Sequence, residues 1–171
     1  MTQYEKSAAT LELPAILAML ARHAVSDAAK ERALAVSPST DAATVKRLLA
    51  ETSAARGMMV KRGGPSFSGV KDVRASLSRA DMGGCLNIRE LMDIAGVLGA
   101  ARQARSYAAG DGRGNEKTCI DGLFNSLITN RFLEDKITGS IAGEDELADA
   151  ASPELASIRR LIRAASARVR D

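Results

Sequence analysis

The residues best suited to chemistry in this chain are the arginines near its end. Arg159, Arg160, Arg163, Arg168 and Arg170 stand against only Glu154 and Asp171 in the last twenty residues. On a helix, such a row of forked, permanently charged donors can track a phosphate backbone. It serves equally as a solvated face with the arginine stems packed along the helix, or as one side of a coiled coil with an acidic partner. The structural uses are the expected ones, and phosphate contact is the alternative. A second, smaller basic group is formed by Lys71, Arg74 and Arg79. Lys71 and Arg74 are three apart, on one face of an expected helix, but Asp72 and Asp81 dilute them.

The other groupings are weaker. Gly110 to Thr118 reads GDGRGNEKT, glycines followed by Lys117-Thr118. A phosphate-cradling loop needs glycine and lysine adjacent, after a strand and before a helix; here Glu116 precedes the lysine and a helix precedes the loop. His23 is the single histidine, so no histidine-based relay or His-rich metal site fits; its expected place is the end of a helix. Glu144, Asp145, Glu146 and Asp149 are expected on a solvated turn rather than as a buried acid/base pair. Cys85 and Cys119 are far apart and read as reduced, small apolar residues. No active site, metal site or cofactor site is therefore expected in this chain.

The composition says what must position these residues. With no Trp, three Phe and two Tyr in 171 residues, the core has to be aliphatic and rich in alanine. That favours helix on helix, where small side chains let backbones approach. The net charge of +3 belongs to the final twenty residues, because the other 151 carry as many acids as bases. The start, MTQYEKSAAT, is polar, and no apolar run approaches a membrane span. A cytoplasmic protein with no membrane partner is expected.

Periodicity and caps then give the elements. Leu13, Ile16, Leu17, Leu20 and Ala24 mark a first helix with Thr10 as its cap. Ser26 opens a second, stopped by Ser37-Pro38. Thr40-Asp41 opens a long third, with Val45, Leu48, Leu49, Thr52, Ala55 and Met59 inward, ending at Gly63-Gly64-Pro65. Val70, Val73 and Leu77 suggest a short fourth helix, stopped by Gly83-Gly84. Asn87 to Glu90 is a capping box opening a long fifth, with Ile88, Leu91, Ile94, Ala95, Leu98 and Ala101 inward. A loop is expected over 109–117, one or two helices between Ile120 and Leu133, and a small hairpin from Ile141-Ala142 to Glu146-Leu147-Ala148.

The last helix is capped by Ser152, with Pro153 and Glu154 in its first turn, and nothing closes it. Leu155, Ile158, Ile162, Ala165 and Val169 form a coiled-coil seam, with Leu161 beside it. The expected fold is thus all-α: a bundle-like helical core over 1–151 with a small hairpin, and over 152–171 the truncated start of a long helix. The chain reads as the front of a longer protein. A seam without its partner is expected to fray toward Asp171 or to pair with a second copy.

The order of segments resembles a known family. Leu11-Glu12-Leu13 to Leu17, Ala28 to Leu34, Pro38 to Asp41, Leu49 to Ala55, Gly63-Gly64-Pro65, Val70 to Ala80, Leu91 to Ala101 and Asp149 to Leu155 are similar, in that order, to the N-terminal stretch of bacterial MutS-two proteins. These are MutS paralogues with a C-terminal Smr domain. Between Ser106 and Thr118 the chain departs from the pattern with its glycine-rich loop.

The resemblance implies a helical core leading into a lever and clamp arm that would begin at Ser152. It implies a parent that is an ATP hydrolase using Mg, a homodimer and an Smr-type endonuclease. Branched DNA and ribosomal RNA would be its partners, and recombination suppression and rescue of collided ribosomes its roles. The family's ATP-binding and nuclease residues lie beyond this sequence, so no catalytic residue carries over. The expected role is mechanical, linking the ATPase to the clamp. The alternative is a stand-alone helical nucleic-acid-binding or protein-interaction module using the arginine-rich helix.

Overall fold

Side-chain capping, rather than a large core, determines where most of these helices begin. The computed structural model describes residues 3–110 and 117–170, and among them nine α-helices and one two-stranded antiparallel hairpin. The fold is all-α with a small hairpin, as the sequence indicates. The chain forms two compact units, Met1–Asp72 with Ala100–Ile128, and Val73–Gly99 with Thr129–Asp171.

The first unit carries α1 (Gln3–Thr10), α2 (Leu13–Arg22), α3 (Asp27–Leu34), α4 (Ala42–Arg62), α7 (Asp121–Asn125) and the later part of α6 (Ile88–Ala109). Ser26 Oγ accepts from the Ala29 N–H at 3.2 Å to open α3. The Asp41 carboxylate accepts from Ala43 and Thr44 N–H at 3.2 and 3.1 Å to open α4. Each satisfies amide donors that a helix start leaves orphaned. Gly63, at φ 76° and ψ 175°, takes a positive-φ conformation open to glycine as α4 ends. His23 follows α2 directly, its N–H bonded to the Leu20 carbonyl at 3.0 Å.

The second unit carries α5 (Arg74–Asp81), the first part of α6, α8 (Arg131–Ser140), β1 (Ile141–Gly143), β2 (Glu146–Leu147), a 3₁₀ turn (Asp149–Ala151) and α9 (Pro153–Arg170). The capping box at the start of α6 is reciprocal. Glu90 N–H donates to Asn87 Oδ1 and Asn87 N–H to Glu90 Oε2, both at 2.9 Å.

Three local expectations are corrected. Thr10 does not cap the helix that follows it. Gln3–Thr10 is itself helical, and the Thr10 hydroxyl donates back to the Lys6 carbonyl at 3.0 Å. Glu12, at φ 56°, then turns the chain into α2. The fourth expected helix starts later than Val70: α5 begins at Arg74, leaving Lys71 in the preceding connection. Lys71 and Arg74 therefore do not share a helix face. In α4 the buried face holds Met58 rather than Met59, and Leu48 and Leu49 are exposed.

The core is thin and built largely from alanine. Met58, Ala100, Ala104 and Ile120 are buried in the first unit, and Ala95 and Ile137 in the second. Three of these six lie on α6, whose residues from Asp93 to Ala101 are all buried or half-buried. Small residues there let neighbouring helices come close. Most of the expected 109–117 loop falls outside the described residues; Ala109 ends α6 and Gly110 follows at φ 56°.

Candidate functional site

The root of α9 is the site that gathers the sequence's charged candidates, and it is assembled within the second unit. α8 runs directly into β1, which pairs antiparallel with β2, Ile141 opposite Leu147. Ala148 N–H then bonds back to the Ser140 carbonyl at 2.9 Å, tying the hairpin to the end of α8. The 3₁₀ turn follows, and Ser152 Oγ accepts from Leu155 N–H at 3.1 Å to start α9.

Four residues apart on α9, Arg159 and Arg163 lie one turn apart on the same side, and both reach one carboxylate. Arg159 Nη1 donates to Asp149 Oδ1 at 2.6 Å and to the Leu147 carbonyl at 2.8 Å, with Glu146 Oε1 at 3.9 Å. Arg163 Nη2 donates to Asp149 Oδ2 at 2.5 Å. These are charge-assisted bonds to both oxygens of a single acid. They hold the Asp149 carboxyl below its ordinary 3.8, the Arg159 hydrogen bond contributing most and Arg163 next. Asp149 stands on an exposed turn, as expected, and from there it also pairs with both arginines of the helix. Two arginines a turn apart, ten and fourteen residues after an aspartate, were the available signal.

The remaining arginines are placed differently. Arg160 and Arg168 are exposed and make no ion pair among the described residues. The side chain of Arg170 lies outside what is described. Lys71 is exposed in its connection, and Arg74 opens α5. Arg79 pairs with Glu90, the same carboxylate that completes the capping box and that the Ser76 hydroxyl reaches at 3.3 Å. The Asn87 N–H first, then Arg79, hold Glu90 below its ordinary 4.5.

Along the seam, Leu155 is half-buried, and the residues after it are open. Ile158 is 54% exposed, Ile162 58% and Val169 87%, with Ala165 exposed and Leu161 beside them also exposed. From Arg160 to Val169 every residue of α9 faces solvent. The helix is thus fixed at its root and uncovered beyond it, with an apolar stripe on one side and guanidiniums on the other. Among the described residues no group of His, Cys, Asp or Glu is arranged to hold a metal. No described helix is long and apolar enough to cross a membrane.

The chain is 40% identical over 167 residues, 98% of its length, to the endonuclease MutS2 of Ruminiclostridium cellulolyticum. It is homologous to part of MutS2. Against the endonuclease MutS2 of Acetivibrio thermocellus it is 41% identical over 168 residues, and against that of Clostridium perfringens 34% over 161. It spans about a fifth of the length of these MutS2 relatives, 21%, 21% and 20% respectively. No family model matches the chain.

Proposed function

We propose that this chain is the N-terminal core and lever root of a MutS2-type protein, and that its work is mechanical. It links an ATPase domain outside this sequence to the nucleic-acid clamp carried by the arm that begins at Ser152. The observation that carries the reading is the match along 98% of the chain to endonuclease MutS2, combined with a last helix that is anchored at Asp149 and uncovered after Arg163. The division into a core over 1–151 and an arm from 152 belongs to the same proposal.

No catalysis is assigned to this stretch. ATP with Mg, homodimerisation and the endonuclease reaction belong to the proposed parent. So do branched DNA and ribosomal RNA as partners, action in recombination control or ribosome rescue, and a cytoplasmic setting. The seam also offers self-association of this chain, since Ile158, Leu161 and Ile162 have no cover. A second reading, direct nucleic-acid contact through the arginine helix, is favoured by the exposed Arg160 and Arg168.

A replacement experiment tests the first reading. This chain is put in place of the matching fifth of the Ruminiclostridium MutS2. Nucleic-acid-stimulated ATP turnover is expected to survive the exchange. A chimera that folds and hydrolyses ATP at the basal rate but never responds to nucleic acid would contradict it.

A further inference from the structure

We propose that the clasp at Asp149 is a catch that a phosphodiester backbone can open, by competing with the carboxylate for Arg159 and Arg163 and so freeing the root of α9 from the hairpin. The inference rests on the reading above in one respect only, that nucleic acid acts near this helix.

Its first support is convergence. Two guanidiniums from successive turns end on the two oxygens of one acid, at 2.6 and 2.5 Å. A phosphate presents equivalent oxygens, so each arginine can exchange one charge-assisted bond for another without losing its partner. Its second support is access. The Asp149 side chain is 46% exposed and Arg163 65%, so the outer half of the clasp is open to solvent. Ion pairs this exposed are weak and screened by salt, which makes a competing polyanion effective.

The two arginines are not equivalent. Arg159 is 30% exposed and keeps a second bond to the Leu147 carbonyl, whereas Arg163 has Asp149 and a longer contact to the Arg159 carbonyl at 3.3 Å. Opening therefore starts at Arg163 and reaches Arg159 last. Arg160 and Arg168, exposed and without ion pairs among the described residues, supply the first long-range attraction. Because carboxylate and phosphate exclude each other, the free energy that Asp149 spends holding the helix is withheld from polyanion binding, and linkage makes this reciprocal.

The test uses the 171-residue chain and a duplex oligonucleotide, titrated at low and at physiological salt. Asp149→Asn is expected to tighten binding at low salt by about three- to tenfold, the range set by two exposed ion pairs. Arg163→Gln is expected to weaken it and to reduce the salt slope by about one. Arg163→Gln also carries the test should Asp149→Asn not fold. With Cys85→Ser and Cys119→Ser, nitroxides at Ala142→Cys and Ala164→Cys report the root directly. Their distance distribution is expected to be narrow alone and broad with saturating duplex, and broad in Asp149→Asn without it. Equal affinity in wild type and Asp149→Asn overturns the proposal. So does unchanged affinity in Arg163→Gln, or a distance distribution indifferent to the duplex. Absence of binding at low salt overturns it too, while leaving the outcome of the MutS2 replacement experiment untouched.

Discussion

Arg62 and Tyr107 each close the end of the helix that carries the other. Arg62 Nη1, in the last turn of α4, donates to the Tyr107 and Ala108 carbonyls at 3.0 Å, capping the end of α6. In return the Tyr107 hydroxyl donates to the Gly63 carbonyl at 2.7 Å, just past the end of α4. Gly110 leaves room for this, since a Cβ there would stand 2.8 Å from the guanidinium. Helix ends leave carbonyls without partners, so both halves of the exchange stabilise the first unit. Tyr107→Phe keeps the ring against Phe124, whose centroid lies 6.3 Å away, and removes only the hydroxyl bond. It is expected to cost about 1 kcal/mol in urea unfolding. Arg62→Ala, which exposes two carbonyls, is expected to cost more.

Two glycines make opposite predictions. Gly57 lies inside α4 and a Cβ there meets nothing within 4 Å, so Gly57→Ala is expected to stabilise by about 0.5–1 kcal/mol. Gly84 is packed on the end of α5, where a Cβ would come 2.9 Å from the Arg79 carbonyl oxygen. Gly84→Ala is expected to destabilise by about 1 kcal/mol or more, because backbone must move. Thermal unfolding of the two variants reads both signs.

Acid should weaken the chain through named carboxylates. Asp41, Glu90, Asp121 and Asp149 are all held below their ordinary values, each by hydrogen bonds to its charged form. A carboxyl whose pKa is lower folded than unfolded contributes stability above its unfolded value, and that contribution is lost as pH falls through the folded one. Stability is expected to be level from neutral pH down to the ordinary values of 4.5 and 3.8, then to fall below them. Asp149→Asn should show a smaller drop over the same window. Chemical denaturation at a series of pH values measures it.

The open seam makes a prediction about association. Replacing Ile158 and Ile162 by Lys is expected to leave unfolding stability within about 0.5 kcal/mol, as at other exposed positions. The same change is expected to abolish any concentration-dependent dimer in sedimentation. A dimer that survives it does not use the seam.

Legibility from sequence followed the range of the interaction. Caps at Ser26, Asp41, Asn87 and Ser152 were legible because a cap and its target amides lie within three residues. The hairpin was legible from turn residues between two short apolar pairs. What was not legible depends on neighbours distant in sequence. Met58 rather than Met59 is buried because packing against other elements, not spacing alone, chooses the face of α4. Thr10 caps nothing after it because Gln3–Thr10 already forms a helix, into which its hydroxyl bonds back. At the candidate site the arginines stood out by composition, but their convergence on Asp149 needed the 3₁₀ turn to bring the acid under α9.

The central claim is the proposal that the continuous helix α9 links the arm to the ATPase, and it depends on that helix being unbroken beyond Arg163. Its most direct measurement is the ratio of nucleic-acid-stimulated to basal ATP turnover in the MutS2 chimera, with and without two glycines inserted between Arg163 and Ala164. Flexible glycines at that point interrupt the helix just beyond its anchored root. The account predicts unchanged basal turnover and loss of stimulation. Stimulation that persists through the insertion would contradict it.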